Sequence, residues 1–231
     1  MTRETFDREL QRIQEETLRL GGMVETAITE SVANLAARDP DKSKALIDSD
    51  RAINRTRYAI ESDALLLIAT QQPLATDLRF IAAVLAISYE LERMGDYAKG
   101  IAKISAMLGG ATGGATLPDI AKMADKATDM IHRALAAFAS RDVESAQAIP
   151  GEDDVIDGLY NRVYRDLIAL MTTDPGSFDE ATHLMWVAHN LERTADRVTN
   201  ICERVVFMAT GRMAEMDAAE GFEDTGIQGV N

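Results

Sequence analysis

A chain of 231 residues, 46% of them hydrophobic, is long enough for one large core or two small ones. Its 38 acidic against 24 basic residues, a formal charge of −14, argue against non-specific phosphate-backbone binding and against direct docking on anionic lipid. Aromatic residues at only 5%, with abundant Ala, Leu, Ile, Met, Glu and Arg, favour helices over strands.

The single cysteine, Cys202, excludes an intramolecular disulfide and suits a reducing compartment. The start, Met1 to Thr5, is polar and has no signal-peptide character. The longest apolar runs, residues 64–70 and 80–88, fall far short of a bilayer span. These features predict a cytoplasmic protein that meets a membrane only through partners.

The first amphipathic helix is predicted from about Glu4 to Arg38, with Leu10, Ile13, Leu20, Met23, Val24, Ala27, Ile28, Ser31 and Leu35 at three- and four-residue steps. Gly21-Gly22 weakens it by roughly 1 kcal/mol per glycine. Asp39 and Pro40 reset the chain as cap and first helical residue. A second helix runs to about Thr70, where Gln72 before Pro73 ends it. A third runs from about Thr76 to Leu108. Gly109 to Thr116 reads as a flexible linker, because it lacks the Gly-Lys-Ser/Thr ending of a phosphate-cradling loop.

The pattern then starts again. Helices are predicted from Pro118 to Arg141, from Glu152 to Met171 and from Ser177 to Thr210, the last opened by a capping box, Ser177-Phe178-Asp179-Glu180. Pro150-Gly151 breaks the chain before the fifth helix. Beyond Gly211 the sequence is acidic and without periodicity, and an unstructured tail is expected over 213–231.

The second half repeats the first. Arg38-Asp39 matches Arg141-Asp142, and Asp50 to Asn54 matches Asp153 to Asp157, at an offset of 103. Leu91-Glu92-Arg93-Met94-Gly95-Asp96 matches Leu191-Glu192-Arg193-Thr194-Ala195-Asp196 at an offset of 100. The predicted fold is all-α: two tandem three-helix, up-down-up bundles over residues 1–110 and 111–212.

Each matched motif places two oxygen-bearing side chains four residues apart, on one helix face. The hairpins bring these pairs opposite one another. About a turn centred on Pro73, Asn54 and Glu92 are equidistant, as are Asp50 and Asp96. About Asp174-Pro175 the same holds for Asp157 with Glu192 and for Asp153 with Asp196. At a constant rise per residue the partners share a height. Four such groups in one patch repel unless protonated, paired with a base or bound to a cation. Carboxylate oxygens between helices suit iron, manganese, magnesium or calcium, with zinc possible.

Two bland readings compete. The acids could be a solvated face stitched by Arg51, Arg93, Arg193 and Arg197, or the patch could belong to a carboxylate-bridged metal enzyme. The second lacks Glu-x-x-His pairs. His132, His183 and His189 have no ligand spacing to one another, and no Ser-His-Asp or Cys-His arrangement is visible. Cys202 reads as a buried core thiol, and Trp186 and the helical methionines read as core, or as dimer contacts if exposed.

The two Leu-Glu-Arg-x-x-Asp motifs, with Tyr97-Ala98 after the first and Thr199-Asn200-Ile201 after the second, resemble the repeated signature of the PhoU family of phosphate-signalling regulators. Gln71-Gln72-Pro73 with Asp77-Leu78-Arg79, and Phe207 to Gly211, resemble its first hairpin and last helix. The resemblance spans about residues 5–212. It implies metal clusters on the bundle surfaces, with Asp50, Asn54, Glu92 and Asp96 as ligands in the first repeat and Asp153, Asp157, Glu192, Asp196 and Asn200 in the second. The metal would be iron, zinc, manganese or magnesium. Gly100 stands where the family more often has asparagine, and Arg197 where it often has histidine. The resemblance further implies a non-enzymatic, often dimeric cytoplasmic adaptor. Such an adaptor connects the phosphate-specific ABC transporter, through its ATPase, to a sensor histidine kinase and represses the phosphate-starvation response.

Overall fold

The computed structural model describes residues 3–108, 116–217 and 221–224. Three long helices, α1 (Arg3–Ala37), α2 (Pro40–Gln71) and α3 (Ala75–Leu108), form the first up-down-up unit. The second unit comprises α4 (Leu117–Ser140), a short α5 (Val143–Ala148), α6 (Asp153–Thr173) and α7 (Phe178–Thr210). The expected linker at 109–115 lies outside the described residues.

Local signals explain most boundaries. Asp39 accepts a hydrogen bond from the Lys42 N–H at 3.0 Å, with Pro40 as first helical residue. Arg38 and Arg141, matched by the repeat, both take left-handed backbone with φ of 56° and 57° and close their helices the same way. The repeat is therefore written into the turns as well as the helices.

Two details depart from the sequence reading. The segment matching the start of α2 is split in the second repeat. Asp142 caps α5 through the Ser145 N–H, and a 3-10 turn at Pro150–Glu152 then intervenes before α6. Pro150 has no N–H to continue the helical ladder. The expected capping box at Ser177 does not form. The Ser177 hydroxyl instead donates back to the Asp174 carbonyl at 2.7 Å, inside a 3-10 turn over Pro175–Ser177.

Of the tail expected to be unstructured over 213–231, residues 218–220 and 225–231 lie outside the described residues, and the remainder holds two strands. Strand β1 (Ala214–Asp217) pairs antiparallel with β2 (Gly221–Asp224) and packs along α7. Met216 is buried, and its N–H donates to Glu203 Oε1 at 3.0 Å. An apolar anchor and one carboxylate thus hold a strand that has too little periodicity to be read from sequence.

The two units are not separate bundles. Their buried residues form one continuous core, with α3 and α7 packed against each other at its centre and α1 against α4 beside them. Phe80 of α3 stacks on Phe138 of α4 with centroids 5.8 Å apart. Arg197 of α7 reaches Glu90 Oε2 at 2.6 Å and the Tyr97 hydroxyl at 3.0 Å, both on α3.

Gly21 and Gly22, read from sequence only as weak points, have opposite roles. A Cβ at Gly21 would lie 2.1 Å from Leu135 Cδ1, so the missing side chain lets α1 close onto α4. At Gly22 a Cβ would meet nothing within 4 Å. We expect Gly22→Ala to stabilise the chain by about 1 kcal/mol through helix propensity. Gly21→Val should destabilise it by about 2 kcal/mol through overpacking. Urea midpoints of the two variants, which should move in opposite directions, check this.

Candidate functional site

Both acidic sets gather on the outer face of their hairpins, since the apolar stripes through Leu91 and Leu191 turn inward to full burial. The two sets differ sharply in how their charge is met.

In the first set Asp50 is 4% exposed. Its Oδ2 accepts from Lys99 Nζ at 2.6 Å and from Asn54 Nδ2 at 2.9 Å, while Oδ1 is buried without a partner. The hydrogen bond to Asp50 holds the Lys99 ammonium above its usual range. Glu92 is pushed up, by burial first and then by Asp96, with Arg57 and Arg93 pulling the other way.

The second set has no such lysine. Asp153, Asp157, Asp196 and Asn200 line a cleft of about 450 Å³, together with Asp154, Thr199, Glu203 and Glu215 and with two cations at its wall, Arg193 and Arg197, that offset part of the charge on Asp196. Glu192 is coupled to the same acids from α7. On facing helices, Asp153 Oδ1 is buried without a hydrogen-bond partner, and Glu192 Oε2 is buried with only the His189 ring beside it, at 3.3 Å. Burial, followed by Asp196, Asp157 and Glu192, pushes the Asp153 carboxyl up to about 7. Burial also raises Glu192 and Asp196. One residue earlier, Glu152 is held down at about 2 by a two-pronged Arg133 and by Lys126. The contrast shows that charge compensation, and not depth alone, separates these neighbours.

The predicted residues fall in two groups, Asp50, Asn54, Glu92 and Asp96 in one and Asp153, Asp157, Glu192, Asp196 and Asn200 in the other. Among the described residues no three or more His, Cys, Asp or Glu side chains are arranged to close on a single ion. Like charges facing without a counter-ion hold each other apart, so an open cluster is what electrostatics dictates. The second donor set, carboxylates with one carboxamide and an orphaned buried oxygen on Asp153, fits a hard multivalent cation. The first set fits less well, because an ammonium already sits on its most buried carboxylate.

Sequence reasoning missed Lys99, Asp154, Glu203 and Glu215. Lys99 had a signal: it lies one turn beyond Asp96 and matches the neutral Thr199. Glu215 had none, since it arrives on β1. His189 stands closer to the site than its spacing suggested, with Nδ1 3.3 Å from Glu192 Oε2. His132 and His183 sit elsewhere, beside Glu25 and the Asp179 carbonyl. Cys202 is a core thiol, pushed up to about 12 by burial. Trp186 is 58% exposed and is not core.

In the metal-free chain Asp153 makes stability fall as pH rises. Its proton is held more tightly folded than unfolded, so stability is intact below about 4 and is lost as pH climbs towards 7. Discounted for partial exposure, the loss is about 2 kcal/mol. We expect Asp153→Asn to raise the melting temperature at pH 8 in chelator and to leave it nearly unchanged at pH 4. Calorimetry at the two pH values checks this.

Fold and site together define a class: an all-α protein of two homologous three-helix units, each with an acidic set on its outer face. The PhoU domain model matches residues 17–105 and again 120–205. A phosphate-specific transport system accessory protein PhoU homolog of Clostridium acetobutylicum is 34% identical over 94% of this chain and 100% of its own length. The Escherichia coli K12 accessory protein PhoU is 30% identical over 90% of this chain and 86% of its own. The crystal structure of the phosphate transport system regulatory protein PhoU from Streptococcus pneumoniae superposes with a TM-score of 0.84 at 32% identity, covering 90% of this chain and 98% of the other. PhoU from Pseudomonas aeruginosa gives 0.84 at 28% identity, covering 89% and 99%. The chain belongs to the PhoU family. Among the described residues no helix is long and apolar enough to cross a membrane.

Proposed function

We propose that this chain is an accessory regulator of a phosphate-specific transport system that represses phosphate uptake and the phosphate-starvation response. The observation that carries this is near-full-length similarity, through both repeats, to proteins named for that role. The relatives are named as accessory or regulatory proteins, which supports a non-catalytic adaptor. Its partners in this reading are the transporter's ATPase and a sensor histidine kinase, met in the cytoplasm.

In the second repeat Asp153, Asp157, Glu192, Asp196 and Asn200 hold a multivalent cation: iron, zinc, manganese or magnesium. The concave donor set, in which acids outnumber the two arginines, supports this. In the first repeat Asp50, Asn54, Glu92 and Asp96 carry matching donor types. The chain assembles as a homodimer. A run of ring contacts from Tyr164 through Tyr160 and His189 to the exposed Trp186 supports an interface on α6 and α7.

The test is genetic. Deleting the gene in its host should switch on a phosphate-starvation reporter at high phosphate, and the wild-type chain should silence it again. An unchanged reporter in the deletion strain would overturn the regulatory reading. Co-purification of the tagged chain with transporter ATPase and kinase, at high and low phosphate, tests the partners.

A further inference from the structure

We infer that in the first repeat Lys99 stands in the place of the metal, so that the Asp50, Asn54, Glu92 and Asp96 set is a self-neutralised brace and only the second repeat is built for a cation. This rests on the proposed cation role of the second set.

Three independent placements carry it. First, Lys99 Nζ lies 2.6 Å from Asp50 Oδ2, and Asn54 Nδ2 lies 2.9 Å from the same atom. Two donors thus converge on one oxygen of the most buried carboxylate of the set. A cation approaching Asp50 would have to displace a half-buried ammonium of like sign. Second, the charges at matched positions are unequal. Asp50, Glu92 and Asp96 stand with Lys99 and Arg57, whereas Asp153, Asp157, Glu192 and Asp196 stand with Thr199 and Tyr160 at those two positions; Arg197, which replaces Tyr97 in the second repeat, is taken up across the seam by Glu90 and Tyr97. Third, the second cleft has Asn200 as a donor, and its counterpart is Gly100. A Cβ at Gly100 would already lie 3.3 Å from Asn190 Nδ2, where α7 crosses α3. The packing of the two repeats against each other thus crowds this position, and a fifth donor in the first set would require Asn190 to move aside.

The experiment is a manganese titration of the chelator-treated full chain, with bound Mn²⁺ counted by electron paramagnetic resonance. Wild type, Lys99→Met and Lys99→Thr are compared, each with and without Glu92→Gln and with and without Glu192→Ala plus Asp196→Ala. Circular dichroism verifies folding. Lys99→Thr copies the second repeat and guards against misfolding of the methionine variant. The expected result is that either lysine variant gains a class of bound Mn²⁺ that Glu92→Gln removes. That class should be at least about tenfold tighter than in wild type, or about 1.4 kcal/mol. Wild-type chain that already binds Mn²⁺ in a Glu92-dependent way would overturn the inference, as would folded lysine variants that gain nothing. Failure of the second-site reading is a separate result, seen as wild-type binding that Glu192→Ala with Asp196→Ala does not reduce.

Discussion

Replacing Glu192 and Asp196 together by alanine is expected to abolish the stabilisation that Mn²⁺ confers on the chelator-treated chain. With wild type at a Mn²⁺ concentration 100 times the dissociation constant, linkage raises stability by about 2.7 kcal/mol. The double variant should show no rise. Without metal it should be at least as stable as wild type, because it loses two carboxylates that burial and mutual repulsion hold above their ordinary range. The contacts it gives up are weak ones, Arg193 with Asp196 at 3.8 Å and the His189 ring with Glu192 at 3.3 Å, so little stability is lost with them. Urea denaturation with and without Mn²⁺ decides the matter. A purely structural acidic face would give the opposite pattern: destabilised without metal and indifferent to it.

The second large effect lies in the core. Phe138→Ala should cost about 4 kcal/mol, the usual range for a fully buried aromatic. Phe138 has no exposed surface, and its ring lies nearly parallel to Phe80, at 11°. Phe80 also carries the Arg141 guanidinium over its ring, 5.6 Å from the centroid. Phe138 belongs to the second repeat and Phe80 to the first, so the loss is shared by both. Calorimetry should show one transition shifted down as a whole. A split into two transitions, one near the wild-type temperature, would mean that the halves unfold independently.

Much of the helix plan was legible in the sequence because its causes are local. Asp39-Pro40, Gln72-Pro73 and the Leu91 and Leu191 stripes act within a turn or two of themselves. The acidic sets were legible for a different reason: two hairpins impose equal heights on residues equidistant from their turns. What escaped depends on partners that periodicity does not name. A stripe shows that α3 and α7 bury a face, but not that they bury it on each other. Lys99 looks like a solvated lysine until α2 brings Asp50 beneath it. Ser177 has the form of a cap, yet the tight turn at Pro175 claims its hydroxyl for Asp174. Glu203 has a strand N–H as partner only because β1 folds back along α7.

The pairing of α3 with α7 also limits how the molecule can move. Each is the inner wall of its own repeat and of the other's, and Arg197 crosses the seam to Glu90 and Tyr97. Swinging the halves apart would bare a continuous apolar seam to water, at about 25 cal/mol for each Å² uncovered. Motion of the low-cost kind is therefore shear, a small slide of one long helix along the other with the seam kept closed. A slide of this sort displaces Arg197 and Glu203 together, since both ride on α7. The acidic cleft, the cross-seam arginine and the strand at the C-terminal end then shift as one mechanical unit.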